Sequence, residues 1–225
     1  MRFKCIIFAI LSTFTILAAE KPQGRLAVKM AEMGLVNIHD ISPEIIVDLM
    51  YARDDNFTGK AMYRDLRQAY LRPEAAKAVG RAQAELSRSH PGYRLKIHDA
   101  SRPMSVQRTM YNAVKGTSKA RYVSNPRNGG GLHNYGMAVD ISIVDDKGVE
   151  LPMGTKVDHL GIEANIDREK TLVKNGKITE QERKNRLLLR RVMTMAGFKP
   201  LRSEWWHFNL CTRAYARTHL PLIDF

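Results

Sequence analysis

The chain has 225 residues, of which 44% are hydrophobic and 26% are charged, and its formal net charge is +13. This is the composition of an ordinary globular protein, and it excludes collagen-like, coiled-coil and disordered chains. The length suits one domain, or at most two small ones. With only two cysteines, Cys5 and Cys211, a disulfide-stapled scaffold and a cysteine-based zinc finger are also excluded.

The amino terminus begins with an apolar segment. Two basic residues within the first four positions precede an apolar run that ends at Leu17, and two alanines then come before a charged stretch. This order is typical of a secretory signal peptide, so we predict a signal peptide over residues 1–19 and an exported protein, periplasmic or otherwise extracytoplasmic. The alternatives are a membrane anchor or a buried first helix, but the run is short for a span of ~20 residues. We expect a mature domain over residues 20–225 with no stable membrane anchor.

Short strand and helix patterns follow along the mature chain. Residues rich in apolar or β-branched side chains predict strands over 44–51, 93–99, 137–144 and 203–210. Start signals followed by apolar residues at helical spacing predict helices over 73–89, 103–116 and 179–196. Residues 20–35 are predicted to be loosely held, and residues 124–136 to form a loop without regular structure. Strands and helices mixed without strict alternation favour a single compact α+β domain.

Two of the seven histidines stand out by their context. His133 follows a glycine run and precedes a predicted strand that carries Asp140 on its polar face. His207 lies among aromatic residues, three positions after Glu204. Burying an acid and a base in such an apolar segment costs free energy, so their presence indicates a metal-binding or catalytic role. Two histidines and one carboxylate form a three-ligand set of the kind that catalytic zinc uses, and Glu204 could then serve as the general base.

The spacing of Glu204 and His207 imposes a geometric condition. Residues three apart in a flat strand face opposite sides of the sheet. The two side chains can share a site only if Glu204 lies at the strand entrance or at a bulge. In the alternative interpretation, Asp140 is an exposed strand acid and Glu204 pairs with Arg202. The residues alone leave both interpretations open.

Arg102 is a further candidate, because it lies between a predicted strand and a predicted helix. An arginine at such a junction can reach a cleft and hydrogen-bond an oxyanion or a carboxylate with its planar fork. The alternative is a surface arginine that precedes a helix. Cys211 is predicted to be a small buried hydrophobic residue rather than a nucleophile.

Together these motifs resemble a known family, the zinc D,D-peptidases. The matching motifs are Ser101-Arg102-Pro103, His133-x-x-Gly136-x-Ala138-x-Asp140 and Glu204-Trp205-Trp206-His207. More narrowly, the chain resembles the D-alanyl-D-alanine dipeptidases of the vancomycin-resistance (VanX) type. This narrower match rests on Tyr51 with Asn56-Phe57-Thr58-Gly59-Lys60, on Pro152-Met153-Gly154 followed by Asp158, and on the doubled tryptophan. The resemblance covers roughly residues 35–215.

The resemblance implies a hedgehog/D,D-peptidase-like α+β fold, with a small antiparallel sheet flanked by helices. It implies one zinc ion per chain with three protein ligands, which are His133, Asp140 and His207. It further implies that Glu204 is the general base and acid, and that Arg102 stabilises the tetrahedral transition state. Tyr51 and Asp158 are expected near the free amino group of a dipeptide.

The function implied is zinc-dependent hydrolysis of D-alanyl-D-alanine in the cell envelope, with a small peptide as the substrate. One alternative is a D,D-carboxypeptidase or endopeptidase that acts on peptidoglycan stem peptides. Another is a non-catalytic zinc- or wall-binding module, but such a module would need neither Glu204 nor Arg102.

The chain departs from many members of the family in two features. It has Gly131 where they carry a serine whose hydroxyl could help to hold the amino end of the substrate. It also has a predicted signal peptide, whereas dipeptidases of the resistance type act in the cytoplasm. No nucleic-acid-binding motif accompanies the positive charge, so we expect no nucleic-acid partner. A basic protein near anionic wall or lipid surfaces is favoured instead.

Overall fold

The structure is a computed structural model that describes residues 21–225. The predicted signal peptide, residues 1–19, lies outside the described residues. In the described part of the chain, no helix is both long enough and apolar enough to cross a membrane.

The secondary structure consists of short strands interspersed with helices. The helices are α1 (Arg25–Glu32), α2 (Pro73–Ser89), α3 (Met104–Val114), α4 (Glu169–Lys174), α5 (Glu180–Met195) and α6 (Arg213–His219). The strands are β1 (Val36–Asn37), β2 (Ile46–Val47), β3 (Tyr70–Leu71), β4 (Arg94–Asp99), β5 (Ala138–Val144), β6 (Lys199–Leu201) and β7 (Glu204–Asn209).

Five strands form the central sheet, in the order β2-β4-β5-β7-β6. The edge strand β2 runs parallel to β4, and every other neighbouring pair is antiparallel. Strands β1 and β3 pair with each other in a separate antiparallel ribbon. The predicted α+β fold with a small sheet flanked by helices is therefore confirmed, with one parallel edge as a refinement.

The two faces of β5 have different chemistry, which positions the site. Val139, Ile141 and Ile143 are fully buried on one face, where each such side chain stabilises the fold by about 1.5–3 kcal/mol. The opposite face carries Asp140 and Ser142, which are also buried. One face of the sheet thus belongs to the apolar core, and the other holds polar groups away from bulk water.

Local sequence signals set the bounds of the two longest helices. Pro73 is the first residue of α2, where its missing N–H is not needed and its fixed φ suits the helix. Thr179 caps α5, since its hydroxyl accepts from the backbone N–H of Glu182 at 3.1 Å and Glu182 accepts from that of Thr179 at 2.6 Å. Both helices agree with the prediction from sequence.

Two predicted segments before α2 differ from the structure. Residues 20–35 are not loosely held throughout, because α1 buries Ala27 and Met30 completely. Of residues 44–51, only the two residues of β2 form a strand, and the chain then turns through a 3₁₀ helix, Met50–Ala52. This turn brings the side chain of Tyr51 to the polar side of the sheet.

The loop over residues 124–136 contains more regular structure than its composition indicates. It includes two 3₁₀ helices, Pro126–Asn128 and Leu132–Tyr135. Each ends at a glycine in the left-handed region, Gly129 with φ 72° and Gly136 with φ 73°. Such φ values suit glycine because it has no Cβ to clash with the backbone.

Candidate active site

One cleft on the polar side of the sheet collects the site residues predicted from the sequence. Its volume is about 360 Å³. All seven predicted site residues line it, namely Tyr51, Arg102, His133, Asp140, Asp158, Glu204 and His207. The structure therefore brings together residues from the strands, from the junction after β4 and from three separate loops.

The candidate metal ligands converge because of strand register. Asp140 on β5 lies directly opposite His207 on β7, and His133 reaches them from the 3₁₀ helix that precedes β5. One possible ligand atom from each residue lies within 4.8 Å of the other two. The alternative interpretation of Asp140 as an exposed acid is wrong, since its exposed fraction is 2%.

Hydrogen bonds behind the two rings fix which nitrogens face the cleft. His133 donates from Nδ1 to the carbonyl of Ala100 at 2.7 Å, which leaves a lone pair on Nε2. His207 donates from Nε2 to Oδ1 of Asn209 at 2.9 Å, which leaves a lone pair on Nδ1. These two bare nitrogens lie 3.2 Å apart, and each also faces the Asp140 carboxylate, at 3.3 and 2.9 Å.

Three lone-pair donors that face one another can hold a cation between them, so the residues present fit a metal ion. Two imidazoles and one carboxylate are the donor set of catalytic zinc, and the outer hydrogen bonds to Ala100 and Asn209 are of the kind that orients such ligands. Burial by itself would raise the pKa of Asp140, but His133 and His207 hold it well below its usual range. Asp140 therefore stays charged and able to coordinate.

Glu204 meets the geometric condition set by its spacing to His207. It is the first residue of β7, and the pairing with β6 shifts register between Pro200 and Leu201. Its carboxylate lies 4.0 Å from Nδ1 of His207. Burial raises the pKa of Glu204 to about 7, which is the range in which a carboxylate serves as a general base near neutrality. The alternative pairing with Arg202 is wrong, because Arg202 pairs with Asp167 at 2.6 Å.

Arg102 is held in place by partners that the sequence reasoning did not identify. Asp99 accepts from both Nε and Nη2 of Arg102, at 3.0 and 2.5 Å, and Gln107 accepts from Nη1 at 3.0 Å. Tyr63 donates to the other oxygen of Asp99 at 2.6 Å. The guanidinium also lies 5.2 Å from the centre of the Tyr51 ring. These contacts fix the direction of the guanidinium, and the only available signal was an acid three residues before the arginine.

Tyr51, which is buried, and Asp158, which is half-buried, form a second pair in the cleft. The Tyr51 hydroxyl donates a short hydrogen bond to the Asp158 carboxylate. Burial raises the pKa of Asp158 to about 7 and that of Tyr51 above its usual range. Asp158 has a φ of 62°, which is uncommon for a residue with a side chain. Such strain is found where a backbone is held in position for function.

The segment 56–60 supplies an apolar wall beside this pair. Asn56 closes the loop by donating from its side-chain amide to the carbonyls of Arg53 and Lys60, at 2.7 and 2.9 Å. Phe57 then lines the cleft with its ring 6.3 Å from that of Tyr51, edge to face. The cleft is therefore narrowed next to Asp158.

A hydroxyl occupies the place that Gly131 leaves open. A Cβ atom added at Gly131 would lie 2.9 Å from Oγ of Ser124. Both residues line the cleft, so Ser124 presents a hydroxyl beside His133 from a different part of the chain. Cys211 also lines the cleft, and the prediction that it is buried is wrong, because it is half-buried there; burial nevertheless raises the pKa of its thiol. A raised pKa disfavours the thiolate, in keeping with its predicted non-nucleophilic role.

Comparisons with known proteins identify relatives of this chain. A family model described as D-ala-D-ala dipeptidase matches residues 31–224. The chain is 34% identical to a D-alanyl-D-alanine dipeptidase of Escherichia coli (strain K12) over 178 residues, which cover 78% of this chain and 84% of the relative. A D-alanyl-D-alanine dipeptidase of Synechocystis is 27% identical, over 66% of this chain and 72% of its own length. One of Enterococcus faecalis is 26% identical, over 84% of this chain and 96% of its own length.

Proposed function

This chain belongs to the D-ala-D-ala dipeptidase family of metallopeptidases, and we propose that it hydrolyses D-alanyl-D-alanine with the help of one zinc ion. The observation that carries the proposal is the convergence of three lone-pair donors beside a buried carboxylate of raised pKa. His133, Asp140 and His207 would hold the zinc, which supplies Lewis acidity toward a carbonyl oxygen and toward water.

Glu204 moves the proton in this reaction. As a carboxylate it accepts the proton of the attacking water, whose oxygen adds to the carbonyl carbon of the peptide bond. Glu204 then delivers the proton to the leaving nitrogen as the C–N bond breaks, which yields two molecules of D-alanine. A carboxyl group with a pKa of about 7 is suited to both transfers near neutral pH.

Arg102 stabilises the negative charge that develops on the carbonyl oxygen. Its guanidinium is buried and already oriented by Asp99 and Gln107, so little reorganisation is required when the charge appears. The bridge to Asp99 also offsets the cost of burying a positive charge.

Asp158 and Tyr51 favour a dipeptide over a longer peptide. The half-buried carboxylate of Asp158 can bind a free ammonium by a charge-assisted hydrogen bond, and Phe57 narrows the cleft on the same side. A D,D-carboxypeptidase would need this end of the cleft open, because its substrate continues beyond the residue that carries the amino group in the dipeptide.

Residues 1–19 motivate a further part of the proposal, which is that the enzyme acts outside the cytoplasm. Their basic start and short apolar run have the pattern of a signal peptide. Fractionation of cells that express the full chain, with mass measurement of the mature amino terminus, tests this location. Intact residues 1–19 on a cytoplasmic enzyme would contradict it.

The proposed reaction is tested by incubating zinc-loaded protein with D-Ala-D-Ala, with acetyl-D-Ala-D-Ala and with a stem pentapeptide that ends in D-Ala-D-Ala. We expect release of D-alanine from the free dipeptide, and poor cleavage of the other two because the penultimate D-Ala nitrogen in each is an amide and not an ammonium. Asp158→Ala should narrow the difference by slowing cleavage of the free dipeptide alone. Equally fast cleavage of all three substrates would establish the carboxypeptidase alternative in its place.

A further inference from the structure

The two ends of the cleft carry opposite charges along the direction of β7. Glu204 begins this strand, and His207 lies opposite Asp140 further along it. Asn209 ends the strand and pairs with Lys199 of β6. The acidic and basic side chains thus lie on opposite sides of the candidate metal ligands.

Asp158 belongs to the acidic end. The loop that carries it is tied to the start of β7, because Trp205 donates from Nε1 to Oγ1 of Thr155 at 2.8 Å. Asp158 and Glu204 both line the cleft, so two carboxyl groups lie at this end. A positively charged group of a ligand is therefore favoured at this end.

Arg213 belongs to the basic end. It is the first residue of α6, shortly after β7, and it lines the cleft together with Lys199. Its Nη2 donates to Oγ of Ser124 at 3.2 Å. Within residues 21–225, no acidic side chain forms an ion pair with Arg213 or Lys199. The guanidinium therefore keeps its charge available to an anion in the cleft.

Ser124 connects Arg213 to the reaction centre. Gln107 donates from its side-chain amide to the carbonyl of Ser124 at 2.7 Å, and its Oε1 accepts from Arg102. The Ser124 hydroxyl occupies the space beside Gly131, two residues before His133. Ser124, which accepts a hydrogen bond from Arg213, is thus held in a fixed position relative to the residues that surround the reacting carbonyl.

A dipeptide at neutral pH has an ammonium at one end and a carboxylate at the other. With its ammonium at Asp158 and its peptide bond beside Glu204, the carboxylate extends toward the basic end. We propose that Arg213 binds the terminal carboxylate of the substrate and that Ser124 holds the guanidinium in place. This inference rests on the proposed function and deepens it, since it identifies how the second end of the dipeptide is recognised. A planar guanidinium suits a carboxylate through two parallel hydrogen bonds.

The test compares D-Ala-D-Ala with D-Ala-D-alaninamide, which has a neutral amide in place of the carboxylate. We expect Arg213→Gln to lower kcat/KM for the dipeptide by about 10- to 50-fold, because a charge-assisted hydrogen bond is lost, and to leave that for the amide unchanged. Arg217→Gln is the matched control, since Arg217 lies one turn later on α6, donates to the carbonyl of Asn128 and does not line this cleft. Arg213→Lys should retain part of the preference for D-Ala-D-Ala over the amide.

Binding provides a second readout that does not depend on turnover. In the Glu204→Gln background, calorimetry should show D-Ala-D-Ala binding more weakly after Arg213→Gln, with no change for the amide. Equal losses on both ligands, no loss on either, or a larger loss from Lys199→Gln than from Arg213→Gln would overturn the assignment of Arg213. If the unmodified enzyme neither cleaves nor binds D-Ala-D-Ala, the proposed function fails and this inference fails with it.

Discussion

Two clusters of histidine and carboxylate lie on the same face of the central sheet, and they differ in what completes them. The metal cluster consists of His133, Asp140 and His207. The His98 cluster consists of His98, Ser142, Glu150 and Lys96. Ser142 follows Asp140 by two residues on β5, so both clusters project from the same side of that strand.

The His98 cluster satisfies its own charges. His98 contacts Ser142 at 2.8 Å and Glu150 at 3.0 Å, and Lys96 bridges Glu150 and Asp48 at 2.9 Å each. Burial would raise the pKa of Glu150, but His98, Ser142 and Lys96 lower it to about 2. Each acceptor has a donor, so this cluster is complete as part of the fold.

The metal cluster has no cationic side chain among its members that plays the part of Lys96 in the His98 cluster. Its two ring nitrogens and the Asp140 carboxylate face one another, and Arg102 approaches Asp140 only to 3.9 Å because it is bound to Asp99. The comparison shows that a buried histidine beside an acid is not by itself a sign of a metal site. The useful sign is several lone pairs that converge with no donor of the chain between them.

The largest expected difference between the two clusters is in zinc binding. His133→Ala removes one of three ligands and should abolish stoichiometric zinc binding and all activity, whereas His98→Ala should keep one zinc per chain. Metal analysis after dialysis against a weak chelator measures this. Full zinc occupancy in both His133→Ala and His207→Ala would disprove the ligand assignment.

The next largest expected difference is in turnover, between substitutions of Glu204 and of Glu150. Glu204→Gln keeps the side-chain shape but removes proton transfer, and we expect a loss of ~10²–10⁴-fold in kcat with zinc still bound. Glu150→Gln is the matched substitution in the His98 cluster and should leave turnover near normal. Steady-state kinetics on metal-loaded samples gives the comparison. Near-normal turnover by Glu204→Gln with intact zinc would eliminate the proposed base.

A smaller effect separates the clusters by stability. Glu150→Ala removes the carboxylate that His98 and Ser142 share and one of the two acceptors of Lys96, and we expect it to lower the free energy of unfolding by about 1–3 kcal/mol. Glu204→Gln should not destabilise the metal-free protein, because it removes a carboxylate whose charged form is disfavoured by burial. Urea denaturation at pH 7.5 distinguishes them. Equal destabilisation by the two substitutions would show that Glu150 does not stabilise the fold more than Glu204 does.

We also expect a pH dependence of stability that has opposite signs for the two glutamates in the metal-free protein. The pKa of Glu204 is raised from 4.5 to about 7, so the native state retains a proton that the unfolded state loses, and stability falls as pH rises between these values. The pKa of Glu150 is lowered from 4.5 to about 2, so its contribution is present above pH 4.5 and is lost as pH falls toward 2.

Unfolding by denaturant across this pH range measures both slopes. Glu204→Gln should flatten the curve between pH 4.5 and 7, and Glu150→Gln should flatten it below pH 4.5. If Glu204→Gln changes the stability curve only below pH 4.5, then burial does not raise the pKa of Glu204.

The parts of the fold that were predictable from sequence are those with local signals. α2 has a proline start and apolar residues at helical spacing, and α5 has a capping box, so both bounds follow from neighbouring residues. α1 was missed because only two of its residues, Ala27 and Met30, are fully buried and the rest of it is half-buried or exposed. The short length of β2 was missed because it depends on pairing with β4, far along the chain.

The candidate site was predictable where the motif residues themselves face the cleft. The three candidate ligands and Glu204 belong to two short motifs, and the pairing of β5 with β7 joins those motifs. The supporting residues Gln107, Ser124 and Arg213 were not assigned roles, because their contacts depend on how the loop over residues 124–136 packs against α3 and α6. Sequence spacing contains no information about that packing.

The doubled tryptophan of β7 gives the protein an intrinsic optical reporter. The chain has two tryptophans, Trp205 and Trp206, and both are buried between Glu204 and His207. Their rings meet edge to face at 5.4 Å, and the Arg186 guanidinium lies 5.8 Å from the Trp205 ring. All indole fluorescence of the chain therefore originates on the strand that carries the proposed base and one proposed ligand. Zinc uptake and dipeptide binding can be followed as changes in emission, without any attached label.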